Sequence, residues 1–268
     1  MAPSNPISPA LGFFLSLLAL SVLQTTVVFA GTIAPQETVK EPESGKRFAV
    51  VLSGAALGHG VTHPGSKQPV LFADQALLGV GIREKTIFGV DVYAMGIYIE
   101  PNAARQTLER WEKKTAKELQ KDGALYDALL RNGLPTTLRL EMCRDVDGSD
   151  MAEAFDESLG PRMMKLFSNQ SLKLPRGVQL GKVADLQTFR KLFAIDEVKS
   201  GVELLFTWDK DGVLYTRVGG KSMGGIHSYA LSRALFDVYL GADPISKSAK
   251  KAMIKRLPVV LQVKGSDE

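Results

Sequence analysis

Arg83 and Tyr93 are the two residues whose types and spacing offer chemistry first. They stand in the stretch from Leu78 to Glu100, where Val80, Ile82, Thr86 and Ile87, and then Val90, Val92, Tyr93, Ile97, Tyr98 and Ile99, supply β-branched and aromatic runs on either side of Gly89. A turn centred on Phe88 makes this an antiparallel hairpin with Arg83 directly across from Tyr93, and residues directly opposite one another share a face. The same register sets Lys85 against Asp91 as an opposite-charge pair, Gly81 against Met95 and Gly79 against Ile97. The shared face then carries a cation, a phenol, apolar bulk and two missing side chains, which describes the floor of a pocket for an amphipathic anion. A guanidinium fork and one hydroxyl suit a carboxylate or a phenolate. The residues alone leave the plainer alternative open, in which Arg83 pairs with a nearby carboxylate and Tyr93 is an ordinary strand aromatic.

The elements that must position this pair can be read along the chain. Phe48 to Leu52 reads as a first strand, followed by a Gly- and Pro-containing loop from Ser53 to Pro69. From Ala103 to Lys121, Leu108, Trp111, Ala116 and Leu119 recur at helical spacing among charged residues, which predicts one exposed amphipathic helix capped by Asn102. Ala124 to Arg131 predicts a short helix, and Thr136 to Cys143 a strand with Leu138, Leu140 and Met142 on one face. A helix capped by Ser149 or Asp150 runs through Met163, with Pro161 as a point of bending. Asp185 to Phe193 is helical, Gly201 to Trp208 and Val213 to Val218 form a hairpin about Asp211-Gly212, and Ile226 to Leu240 and Ser246 to Arg256 are two closing helices. Strands first, then helices, then a late hairpin give an α+β class rather than a parallel α/β alternation.

The chain has 268 residues, 45% hydrophobic and 23% charged, an ordinary globular composition. Its first thirty residues contain no Lys, Arg, Asp, Glu or His, and the apolar run from Leu11 to Leu23 is followed by Val28-Phe29-Ala30, a small-residue cleavage pattern. The expectation is an exported protein with residues 1–30 as a signal peptide, a flexible arm over 31–47, one domain over 48–261 and a tail over 262–268. An uncleaved membrane anchor over residues 10–30 is the alternative. Cys143 is the only cysteine, so no intramolecular disulfide forms. A formal net charge of +4 gives no ground for nucleic-acid binding.

Several motifs tempt and fail. Gly220-Lys221-Ser222 resembles the end of a phosphate-binding loop, but Tyr215 stands where its first glycine is needed. His59 and His63 lie among glycines and a proline without a third ligand, so neither a metal nor another cofactor is expected. Lys247, Lys250, Lys251 and Lys255 fall on one face of the last helix, a solvated stripe or a weak contact for an anionic membrane surface.

The run Gly-Val-Gly-Ile-Arg-Glu-Lys-Thr from Gly79, followed by Val-Tyr-Ala-Met-Gly-Ile-Tyr-Ile-Glu, resembles the core of the chalcone isomerase-like family, and so does the run from His227 to Lys250. The resemblance covers roughly Phe48 to Leu257 and implies an open-faced β-sandwich, a large antiparallel sheet layered with helices. In the catalytic members an arginine binds the phenolate of a chalcone while tyrosine, threonine and water polarise the ketone. Arg83 matches that arginine, but Tyr93 falls at the threonine, Met151 near the tyrosine, Ser158 near an asparagine, and Val238-Tyr239 near a polar substrate-contacting pair. Met151 has no hydroxyl, and loss of a preorganised donor commonly costs about 2.7 to 4 kcal/mol of barrier. The non-catalytic branch, the plant plastid fatty-acid-binding proteins, is the better match, since Arg83 and Tyr93 fall on the pair that binds a fatty acid carboxylate there. The resemblance thus implies a carrier of a long-chain fatty acid, with Met95, Met151, Ser158, Val238 and Tyr239 as further pocket lining. Its secretory-looking leader departs from the plastid relatives. A chalcone isomerase-type lyase and a ligand-free structural or partner-binding protein remain the alternatives.

Overall fold

Two stretches of strong strand chemistry, the runs that carry Arg83 and Tyr93 and the alternating run at Leu138, lie side by side at the centre of one antiparallel sheet. The structure, a computed structural model, describes residues 36–85 and 90–262. A small hairpin, β1 (Thr38–Lys40) with β2 (Arg47–Ala49), comes first, then β3 (Val51–Leu52) and the short helix α1 (Gly54–Gly58). The central pair is β4 (Gln75–Lys85) and β5 (Val90–Ile99). Helices α2 (Pro101–Leu108), α3 (Ala116–Leu119) and α4 (Gly123–Leu129) lead to β6 (Thr136–Met142), β7 (Val146–Asp147) and the long α5 (Gly148–Phe167). After α6 (Ala184–Lys191) come β8 (Glu197–Val198), β9 (Glu203–Trp208), β10 (Val213–Val218) and β11 (Lys221–His227), and two helices close the chain, α7 (Tyr229–Leu240) and α8 (Lys247–Gln262). The seven-stranded sheet has the order β11-β10-β9-β6-β5-β4-β3, every neighbour antiparallel. This is the α+β, helix-layered antiparallel sheet that the sequence suggests.

The two faces of the sheet are closed differently. On one, Met95, Ile97, Leu138 and Leu140 join residues of α5, α7 and α8 in a single large core. On the other, Phe48 packs with Leu77, Ala94 and Tyr98, and the Arg139 guanidinium lies 4.7 Å from the centre of the Phe48 ring. The hairpin β1-β2 overturns the expected flexible arm over 31–47, for those residues from Gln36 that are described. Val39 packs against the Phe48 cluster, and Glu41, 2% exposed, accepts hydrogen bonds from the Ser44 N–H and Oγ, both at 2.7 Å. One apolar residue and one anchored turn suffice here, too little for a periodic signal.

The expected helix over 103–121 is broken at Trp111, which is buried and donates from Nε1 to Asp122 at 2.8 Å. A second start follows at the Thr115–Glu118 capping box. The first helix is capped by Glu100 rather than Asn102, its carboxylate accepting from the N–H groups of Asn102 and Ala103. In the last helix Lys247, Lys251 and Lys255 are exposed, but Lys250 turns inward, donating to the Gly241 carbonyl at 2.5 Å with its Nζ 3.5 Å from the centre of the Tyr126 ring. The basic face is therefore three residues wide. Among the described residues no helix is long and apolar enough to cross a membrane.

Strand β11 replaces the expected start of α7. Gly224 sits at φ 90°, the register slips between Tyr215 and Arg217, and a side chain on Gly225 would strike the Tyr215 ring. A glycine-rich bulged strand offers no alternation to read.

Candidate ligand-binding site

The register of β4 on β5 pairs Arg83 with Tyr93, Gly81 with Met95 and Gly79 with Ile97, as the hairpin reading expects. Tyr93 is paired in turn with Met142 on β6, so Arg83, Tyr93 and Met142 form one row across three strands. Lys85 and Asp91 are not opposite one another, contrary to the expected register. A slip between Arg83 and Glu84 brings Glu84 opposite Asp91 and Lys85 opposite Val90, and the turn centre at Phe88 lies outside the described residues. Glu84, Asp91 and Glu43 consequently gather at the surface, where a hydrogen bond to Glu84 and the neighbouring negative charges raise the Glu43 carboxyl above its ordinary range.

Above the row of Arg83 and Tyr93, the first turns of α5 and the end of α7 enclose a cavity of about 210 Å³. Helix α5 contributes Asp150, Met151, Ala154, Phe155 and Ser158; α7 contributes Val238 and Tyr239. The sheet supplies Arg83, Val92, Tyr93 and Leu140, while Arg144, Val146 and Ile245 come from the segments at its edge. Of the residues singled out from sequence, Arg83, Tyr93, Met151, Ser158, Val238 and Tyr239 meet in this one cavity.

Met95 does not. It is fully buried in the main core, and the two glycines near it serve packing rather than a ligand. A Cβ on Gly81 would collide with Ala249 Cβ, and one on Gly79 would come within 2.9 Å of the Met253 backbone nitrogen. The missing side chains therefore admit α8 to the sheet, and the floor of the cavity begins only at Arg83.

The Tyr93 and Tyr239 hydroxyls are 3.0 Å apart. Burial pushes both phenols above their ordinary range, and the Arg83 charge offsets this in part. Both remain neutral donors at physiological pH. Arg83 is half-buried, with no hydrogen bond or ion pair among the described residues. Arg144 and Asp150 also line the cavity and were missed from sequence. Two guanidiniums face one carboxylate, leaving a single positive charge in excess, and most of the remaining wall is aliphatic or aromatic. Such a space accepts a monoanion with an apolar body. Arg144 lies in a bend two residues past the end of β6, where strand alternation gives no guide.

Residues 73–254 match the family described as chalcone isomerase like. The chain belongs to the chalcone isomerase-like family. It is 29% identical over 184 residues to Fatty-acid-binding protein 1 of Arabidopsis thaliana, covering 65% of this chain and 61% of the relative, so the match spans about three fifths of that protein. It is 23% identical over 205 residues to the chalcone–flavanone isomerase of Oryza sativa subsp. japonica, covering 72% of this chain and 83% of the enzyme. The crystal structure of an Arabidopsis thaliana fatty-acid binding protein superimposes with a TM-score of 0.65 at 24% identity, over 84% of this chain and 99% of that one. That likeness confirms the fold.

Proposed function

We propose that this protein binds a fatty acid without transforming it, its carboxylate held by Arg83 and Tyr93. The observation that carries this reading is Arg83, a half-buried cation with no partner among the described residues, beside a pair of hydrogen-bonded phenols, Tyr239 buried and Tyr93 partly so, in a mostly apolar cavity. Similarity to a relative named a fatty-acid-binding protein supports it. Arg83 and a phenol supply the charged fork and second donor that a carboxylate needs, and each methylene buried beyond it contributes roughly 0.8 kcal/mol. The cavity of about 210 Å³ is smaller than the roughly 300–1,000 Å³ of typical ligand sites. It accommodates the head and the first methylenes, and a long chain must displace the side chains that close it.

A non-catalytic role is supported by Met151 and Val238, which bring a thioether and an isopropyl group to the wall. The lyase alternative draws on the match to the rice enzyme and on the two hydroxyls beside Arg83. Native mass spectrometry of the purified protein tests the reading, with co-purifying acyl chains expected. Stereospecific chalcone cyclisation at an enzymatic rate would replace it with the lyase. We also propose export with cleavage after Ala30, from the uncharged apolar leader. Intact-mass analysis of the exported protein is expected to begin at Gly31, and retention of Met1 would refute it.

A further inference from the structure

Arg144 lines the cavity with Arg83, and the chain holds it from both sides. Before it, the Cys143 N–H donates to the Val92 carbonyl at 3.0 Å. After it, Asp145 accepts from the Ser200 N–H at 2.7 Å and from Lys199 Nζ at 3.1 Å. Met142, the last residue of β6, stands in the row with Tyr93 and Arg83, and Arg144 lies two residues beyond it, in the bend that leads to β7, among the lining residues. Its Nε is buried and has no hydrogen-bond partner. No described carboxylate forms an ion pair with Arg83 or Arg144, and Asp150, the one acid of the lining, is exposed at the start of α5. A buried donor left unpaired is costly, and more so on a charged group. An orphaned guanidinium N–H at a cavity wall is therefore a position that a ligand acceptor would complete.

We infer that Arg144 is a second head-group cation of this site, donating from Nε to the acid while Arg83 and the Tyr93–Tyr239 pair take its other lone pairs. The inference rests on the proposed reading of the cavity as an acid-binding site, and it adds both a residue and a selectivity. A carboxylate offers about four lone-pair sites, more than one arginine and one phenol occupy. Arg83 is on β4, and Arg144 follows the end of β6, two strand spacings of about 4.8 Å away, so two long arginine side chains lining one cavity can approach a head group from different sides. Arg144 thereby selects an ionised acid over the alcohol of the same chain length.

Calorimetric titration of the full-length protein with dodecanoate and with 1-dodecanol tests this. Arg144→Gln is expected to weaken dodecanoate about ten- to hundredfold and to leave dodecanol nearly unchanged. Arg144→Lys keeps the charge without the fork and recovers part of the loss, and Asp150→Asn tightens dodecanoate. Should Arg144→Gln fail to fold, the acid-to-alcohol ratio of Arg144→Lys decides. Unchanged acid affinity, or equal weakening of acid and alcohol, overturns the role of Arg144 while the acid-binding reading stands. Failure of the wild type to bind dodecanoate overturns that reading itself, and with it this one.

Discussion

The hydroxyls of Tyr93 on β5 and Tyr239 on α7 meet at 3.0 Å across the cavity, joining the sheet to the helix layer at the point where Arg83 enters. Two hydroxyls hold two protons and their mutual bond uses one. The pair therefore keeps one O–H for an acceptor in the cavity, and because burial raises both phenols above their ordinary range, that donor is present at neutral pH, where a carboxylate is ionised. A hydrogen bond to a charged group is worth about 1.5 to 3 kcal/mol, so Tyr93→Phe should weaken fatty acid binding by roughly 10- to 150-fold. Tyr239→Phe should cost less, since it frees the Tyr93 proton for the ligand. Calorimetry on the two variants checks the order, and a larger loss from Tyr239→Phe would show that Tyr239 is the donor.

Arg83→Ala should be the more damaging change at the same site. It leaves the acid desolvated with one charged partner fewer, so affinity at neutral pH should fall by more than in Tyr93→Phe. The penalty should shrink as pH drops below the pKa of the bound acid, because a protonated head no longer needs the cation. A methyl ester should bind weakly to the wild type and lose little more in the variant. Titrations of acid and ester at neutral and acidic pH check this, and wild-type affinity in Arg83→Ala at neutral pH would place the carboxylate elsewhere.

The same phenols predict an alkaline limit to stability. Their folded pKa lies above the ordinary value of 10.0, so the neutral form is favoured on folding. That stabilisation is fully present below pH 10.0 and is lost as pH rises past it, where the unfolded chain releases protons that the folded one retains. Urea midpoints should fall through this window, and less steeply in Tyr239→Phe than in the wild type. A midpoint independent of pH there would mean that the cavity is wet enough for the phenols to ionise freely.

The two strands were legible because β-branched and aromatic runs mark them, and the expected register holds from Gly79 to Arg83; past Arg83 it is shifted by one, so the cross-strand rule alone does not fix it. The α+β class was legible for a similar reason, as the periods change from two to three and four along the sequence. What closes the cavity was not legible from periodicity. Met151 and Val238 reach it from helices whose approach to the sheet depends on tertiary packing, and they were found only by resemblance. Arg144 was missed because it lies in a bend two residues past the end of β6, where strand alternation gives no guide and a charge ordinarily faces solvent. The register shift beside Glu84 leaves no local mark, and it moves Lys85 from opposite Asp91 to opposite Val90.

Gly81 was read as part of a pocket floor, and the structure gives it another task that mutation can separate. Its missing side chain admits α8, whose Ala249 Cβ would overlap a Cβ added there, with the Ala249 Cα only 3.0 Å away. Backbone of a packed helix yields less readily than the end of a flexible side chain, and overpacking of this kind typically costs about 1 to 3 kcal/mol. Gly81→Ala should therefore lower stability by about that amount in urea unfolding. Ala249→Gly alone should cost up to about 1 kcal/mol through helix propensity. Combined with Gly81→Ala it should recover part of the loss, because it removes the atom in collision, and the two effects should be non-additive as expected of residues in contact. Fatty acid affinity, measured where both variants are folded, should change little, since neither residue lines the cavity. If Gly81→Ala instead left stability intact and abolished binding, the ligand would have to occupy the space assigned here to α8.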